Sequence, residues 1–183
     1  MRFLLALGLA GLTLASCAGT GLDSADPGRT TAVTFPASSI GPNRTVGPAM
    51  SETRAALVRV LGTRNLVVTD TQAPYRPPES AILTTAPRAV YQVILPQDPG
   101  QGFIVAYEFA DGAAAAAAAT DQAAYLASGP ARVQSSLGSR HVIRLFGRSV
   151  VTYSWDPDGA RDPAAPGIQS ALELLGSGVD IPS

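Results

Sequence analysis

Apolar residues recur at helical spacing in two stretches of the chain. The first, from 48 to 61, begins at a proline, which suits a first helical turn, and is followed by Gly62, which suits a helix end. The second, from about 164 to 175, carries apolar residues three, four and seven positions apart. Both stretches are predicted to be helices that pack one apolar face on a core.

A third helix is predicted from a run of alanines and not from the spacing of apolar residues. Asp111 is a good N-cap for the run of seven alanines from 113 to 119, and Gly129 and Pro130 are expected to stop the helix that follows. Alanine has the highest helix propensity and almost no side chain. This helix is therefore expected to lie close to a sheet.

Stretches rich in β-branched and aromatic residues predict strands between these helices. One strand is expected over 65–70, one hairpin over 89–95 and 102–110, and a second hairpin over 141–146 and 149–155. Four prolines separate the first strand from the first hairpin, and they exclude a central strand there. That stretch is predicted to be a surface loop with one helical turn.

This order of elements predicts an α+β fold, a two-layer sandwich in which a mainly antiparallel sheet of about five strands carries about three helices on one face. Both faces of the strands are apolar, which leaves two arrangements open. In one, the face with Tyr107, Tyr153, Trp155 and Arg144 is partly available to a ligand or a second subunit. In the other, the helices and the proline-rich loop cover both faces, and the aromatic residues belong to the core.

The first seventeen residues, MRFLLALGLAGLTLASC, form a separate segment. A positive start at Arg2, an apolar stretch over 3–13 and small residues before a cut site are the parts of a secretory signal peptide. The apolar stretch is too short to span a bilayer, which takes about 20 apolar residues. Its end, Leu-Ala-Ser-Cys over 14–17, resembles the lipobox of bacterial lipoproteins.

The resemblance implies that residues 1–16 are removed and that the Cys17 thiol forms a thioether to a diacylglyceryl group, with palmitate as a typical acyl chain. Cys17 is the only cysteine, so it cannot form an intramolecular disulfide. Two acyl chains hold a protein at a membrane, whereas one gives only reversible binding. An ordinary cleaved signal peptide with an incidental cysteine is one alternative, and an uncleaved anchor is the other.

The implied location is the bacterial cell envelope, at the outer membrane or at the outer leaflet of the cytoplasmic membrane. Residues 17–47 are rich in Gly, Pro, Ser and Thr, and they are predicted to be the lipidated cysteine and a flexible linker spanning roughly 30 Å. A first strand over 31–35 is the alternative for part of this stretch. Residues 48–183 are predicted to be a single domain.

The amino-acid composition mainly excludes one class of partner, nucleic acid. The 183 residues are 46% hydrophobic and 15% charged, which suits a chain that buries a core. The formal net charge is −1, and the notable absence of a basic stripe makes nucleic acid an improbable partner. Membrane lipid, through acylated Cys17, is the partner that the lipobox implies.

Candidate catalytic chemistry is sparse. The sole histidine, His141, lies in a predicted strand, and the chain has no GxSxG motif. Asp156, Asp158 and Asp162 in DPDGARD lack the spacing and the distal glutamate of an EF-hand, and turn formation with helix capping accounts for them. No metal and no cofactor is expected.

The junction YEFADGAAAAAAA, followed by a hairpin and a closing helix that ends in LELLG, resembles small extracytoplasmic domains of unassigned function in bacterial lipoproteins. The likeness transfers no catalytic positions. The expected function is a lipid-anchored, non-enzymatic domain that binds an envelope protein or a small ligand at the membrane surface, with a homodimer left open. One alternative is an extracytoplasmic hydrolase whose acid/base carboxylates the sequence does not identify, and another is a purely structural or assembly role.

Overall fold

The computed structural model describes residues 47–183. The predicted signal peptide, Cys17 and all but the last residue of the predicted linker lie outside these residues. The helices are α1 (Pro48–Gly62), α2 (Ala81–Thr85), α3 (Gly112–Ala127), α4 (Gly129–Gln134) and α5 (Ala165–Leu172). The strands are β1 (Val68–Asp70), β2 (Arg88–Val93), β3 (Phe103–Glu108), β4 (Arg140–Phe146), β5 (Ser149–Trp155) and β6 (Ser177–Gly178).

The six strands form one sheet in the order β1-β2-β3-β5-β4-β6, and every neighbouring pair is antiparallel. The predicted α+β class with an antiparallel sheet is confirmed. Both predicted hairpins are present, as β2–β3 and β4–β5. The sequence did not predict β6, a two-residue strand that pairs with β4 just after the last helix.

Helices lie against both faces of the sheet. On one side, α1 and α5 share a buried apolar cluster with Ile104 and Ala106 of β3, and we call this the α1 face. On the other, α2, α3 and α4 share a second cluster with Val105 and Tyr107, and we call this the α3 face. Four consecutive buried residues in β3 need cover on both sides. The predicted two-layer sandwich with its helices on one face is therefore not confirmed, because helices pack on each side of the sheet.

Local signals determine where α3 begins and where it ends. The Asp111 side chain accepts a hydrogen bond from the Ala114 N–H at 2.8 Å, which confirms the predicted cap. The helix ends at Ala127, as the Gly129-Pro130 pair predicted. The chain then starts the short helix α4 with Pro130 in its first turn, where a missing N–H costs nothing.

No helix within residues 47–183 is both long and apolar enough to cross a bilayer.

Candidate functional site

A cleft of about 320 Å³ opens at the end of the sheet where β5 finishes and β4 begins. Its walls are the loop before α2, the β2–β3 connection, the segment between α4 and β4, and the residues that follow β5. We call it the His141 cleft, because the only histidine of the chain lies in its wall.

His141 contacts two serine hydroxyls. His141 and Ser154 are cross-strand partners in the β4–β5 hairpin, and the imidazole Nδ1 lies 2.8 Å from the Ser154 Oγ. Nε2 lies 3.5 Å from the Oγ of Ser135, which follows α4. Burial lowers the pKa of His141, because it disfavours the charged imidazolium. At neutral pH the imidazole is therefore neutral, with one ring nitrogen that donates and one that accepts.

Aromatic side chains form the apolar part of the walls. Tyr153 is 2% exposed, and burial raises the pKa of its hydroxyl. Tyr75 stacks on Phe103 with ring centroids 4.6 Å apart. Trp155 is half-buried, and its indole N–H donates to the Gln169 side-chain oxygen at 3.1 Å. These contacts fix the rings, so the cleft has a preformed apolar surface beside its hydroxyl groups.

The carboxylates in the cleft wall are bonded to backbone. The Asp98 carboxylate accepts from the Arg161 N–H at 3.3 Å, and the Asp156 carboxylate accepts from the Asp158 N–H at 3.0 Å. The first bond joins the β2–β3 connection to the segment after β5. The second is local and shapes a turn, which is the role that the sequence favoured for the aspartates of DPDGARD.

Asp162, the third aspartate of DPDGARD, is buried and accepts from the backbone N–H groups of Gln97 and Ala164, each at 2.9 Å. These bonds join the β2–β3 connection to the start of α5. In the part of the chain that the structure covers, no three His, Cys, Asp or Glu side chains come together as metal ligands would.

Tyr107, one of the predicted binding-face residues, lies fully buried on the α3 face. Its hydroxyl donates to the Glu79 carboxylate at 2.7 Å, and Arg88 donates to the same oxygen at 2.8 Å. Burial raises the pKa of Tyr107, and the hydrogen bond to Glu79 adds to this shift. Tyr107 is therefore a core residue that anchors the proline-rich loop.

The register between β3 and β5 separates Tyr107 from Tyr153. Tyr153 lies opposite Ile104, whereas Tyr107 lies opposite Val150, and directly opposite residues share a face. The two tyrosines therefore point to opposite sides of the sheet. The interpretation in which both sheet faces are covered fits these positions, and the single open face carrying both tyrosines does not.

Arg144, another predicted residue, closes the end of α5. Its guanidinium donates to the carbonyl oxygens of Leu175, Glu173 and Gly176 at 2.7, 2.8 and 2.9 Å. These carbonyls belong to the turn after the helix, where backbone acceptors lack helical partners. Arg144 is thus held by structural contacts, away from the His141 cleft.

Of the four candidate face residues, the structure brings Tyr153 and Trp155 together in the cleft wall and leaves Tyr107 and Arg144 elsewhere. Sequence reasoning set His141 aside, although the predicted hairpin already opposed it to Ser154. Ser135 and Tyr75 come from irregular segments, for which the sequence carried no signal.

The chain matches no model of a known protein family, and neither a curated protein nor a solved structure is significantly similar to it.

Proposed function

We propose that this protein is a lipid-anchored envelope protein whose domain binds a small neutral ligand in the His141 cleft. The observation that carries the proposal is the cleft itself, where ordered aromatic walls lie beside a histidine and several serine hydroxyls. Small-molecule sites typically combine a concave, partly aromatic surface with a few placed polar groups.

The charges of the cleft favour a neutral ligand. Arg76, the cation in its wall, already pairs with the Glu79 carboxylate at 3.3 Å. The two wall aspartates are bonded to backbone, and the lowered pKa of His141 keeps its ring neutral. Hydroxyl and amide groups on a ligand with an apolar face would match these walls, since the serines both donate and accept.

The ligand proposal has a direct fluorescence test, because Trp155 is the only tryptophan and lies in the cleft wall. N,N′-diacetylchitobiose, which carries hydroxyls, amides and an apolar ring face, is a suitable probe. We expect a saturable change in Trp155 emission. Ser136→Tyr, at an exposed position in the wall, should abolish it, and Ser51→Tyr, at an exposed position of α1, should not. An unchanged emission in the wild-type protein would count against a neutral-ligand site.

Anchoring rests on the lipobox resemblance and has its own test. Metabolic labelling with palmitate and membrane fractionation should both depend on Cys17. If Cys17→Ser leaves label and fractionation unchanged, the anchor is refuted, whatever the cleft binds.

A hydrolase remains the second candidate, but with a serine nucleophile in place of the acid/base carboxylates that the sequence analysis left open. One observation favours it, the 2.8 Å contact between His141 Nδ1 and Ser154 Oγ. A hydroxyl beside a neutral imidazole is the pairing that nucleophilic catalysis uses. Turnover of p-nitrophenyl acetate that is lost in Ser154→Ala and in His141→Gln would support it. Equal rates in wild type and both variants would leave binding as the function.

A further inference from the structure

Two large apolar side chains stand almost fully in solvent beside the His141 cleft. Val133 in α4 is 88% exposed and Leu137 in the following loop is 98% exposed. No other large hydrophobic residue in the covered range 47–183 exceeds 61% exposure. Neither residue contributes to the two buried clusters. Folding therefore does not account for their apolar character.

The same segment is positively charged. Residues 122–155 contain four arginines and neither aspartate nor glutamate. Two of the four are engaged elsewhere, since Arg144 donates to carbonyls and Arg148 pairs with Glu108. The other two, Arg132 and Arg140, make no ion pair with a carboxylate in the described part of the chain. The Arg140 guanidinium lies over the Trp155 ring, 6.0 Å from its centroid, and keeps its charge.

We propose that Val133, Leu137, Arg132 and Arg140, which we call the α4 tip, form a second membrane contact that inserts into an anionic bilayer. Apolar side chains that enter the headgroup region, with basic residues beside them, are the components of interfacial binding. Each arginine near an anionic surface adds attraction that falls off within a Debye length. The arginines of the tip and its exposed apolar side chains together fit an anionic lipid surface, which is the partner we propose.

This inference rests on the proposed lipid anchor for its biological setting. A tether converts a second binding event into an intramolecular one, so a contact that the free chain already makes is more fully occupied in the anchored protein. Ser135 and Ser136 lie between Val133 and Leu137 in the chain and also line the His141 cleft. A tip seated in the bilayer would therefore bring the rim of the cleft to the level of the headgroups.

Acidic side chains beside the tip oppose the attraction, and Asp158 is the one placed against the segment that carries Leu137. The Asp158 carboxylate lies 3.7 Å from the position that a Cβ on Gly138 would occupy. Removing this charge should strengthen binding to an anionic surface, so the proposal predicts one substitution that increases binding as well as one that reduces it. Asp158→Asn keeps the shape of the side chain and removes its charge.

The experiment uses the mature chain from residue 17 with Cys17→Ser, so that no acyl chain contributes. It is sedimented with vesicles of phosphatidylcholine that contain or lack phosphatidylglycerol. We expect binding only with phosphatidylglycerol, weakened by added salt. Leu137→Asp should reduce the partition coefficient about tenfold or more, since it removes the leucine that inserts into the bilayer and adds a negative charge that the anionic lipid repels. Asp158→Asn should increase it.

Leu174→Asp is the matched control, because Leu174 is 61% exposed and follows α5, away from the tip. It should bind as the unsubstituted chain does. The proposal is overturned if the Cys17→Ser chain fails to bind anionic vesicles, or if Leu137→Asp and Leu174→Asp lose binding equally. Either result leaves palmitate labelling of Cys17 and ligand binding in the cleft untouched, so failure of the tip is distinguishable from failure of the proposed function.

Discussion

A single added methyl group should have a large effect at the turn that follows α5. Gly176 has a φ of +50°, in the left-handed region that residues with a Cβ rarely adopt. A Cβ built there clashes with the Leu145 carbonyl oxygen and lies 3.2 Å from the Cα of Phe146. Gly176→Ala must therefore move the turn or β4.

The cost of that movement has three parts. Left-handed backbone costs an alanine about 1–2 kcal/mol. Overpacking against a backbone that neighbours hold costs about 1–3 kcal/mol. A displaced turn also weakens the bond from Arg144 to the Gly176 carbonyl, and a charge-assisted hydrogen bond contributes about 1.5–3 kcal/mol. Since relaxation of one part relieves another, we expect a total loss of about 3–5 kcal/mol.

Urea unfolding followed by circular dichroism and by Trp155 fluorescence measures this loss. With a slope of about 2 kcal/mol per molar, the midpoint should fall by about 2 M. Gly62→Ala is the control, because no atom outside its own helical turn and chain neighbours lies within 4 Å of the space for its Cβ, and Gly62 is not among the residues with positive φ. It should leave the protein unchanged or slightly more stable. A Gly176→Ala midpoint close to the wild-type value would refute the close approach of the turn to β4.

Two predictions concern pH. Burial lowers the pKa of His141, so between that pKa and the ordinary value near 6.5 the unfolded chain binds more protons than the folded one. The free energy of unfolding should therefore fall as pH falls through this range. Urea titrations at several pH values should show a weaker pH dependence of this free energy in His141→Gln. Burial raises the pKa of Tyr91 to about 12 and also raises the pKa of Tyr107. Above about pH 10 the tyrosines of the unfolded chain lose their protons before those of the folded chain, so the free energy of unfolding should fall as pH rises. Tyr107→Phe should make this alkaline decline less steep in thermal melts, and an unaltered slope would contradict the burial of its hydroxyl.

Local patterns in the sequence were enough to place most elements. The cap at Asp111 and the alanine run determine α3 within one turn, since both act between neighbours in the chain. The turn at Gly147 and Arg148 sets the register of the β4–β5 hairpin, and with it the pairing of His141 with Ser154. These interactions depend on residues close in sequence.

The register between β3 and β5 could not be predicted from residues close in sequence. Those strands are separated by two helices and by β4, so no turn fixes which residue of β3 meets Tyr153. A shift of one residue in this register would have put Tyr107 on the face of Tyr153. The predicted open aromatic face depended on that unknown register.

The His141 cleft and the α4 tip share one short piece of chain, which makes two proposed properties interdependent. Ser135 contacts His141 inside the cleft, whereas Val133 and Leu137 on either side of it point into solvent. Insertion of the tip into a bilayer would place the cleft rim in the headgroup layer. Whatever change in ligand affinity this causes, reciprocal linkage requires the ligand to change insertion by the same factor. Occupancy of the cleft and contact with the membrane are therefore thermodynamically linked.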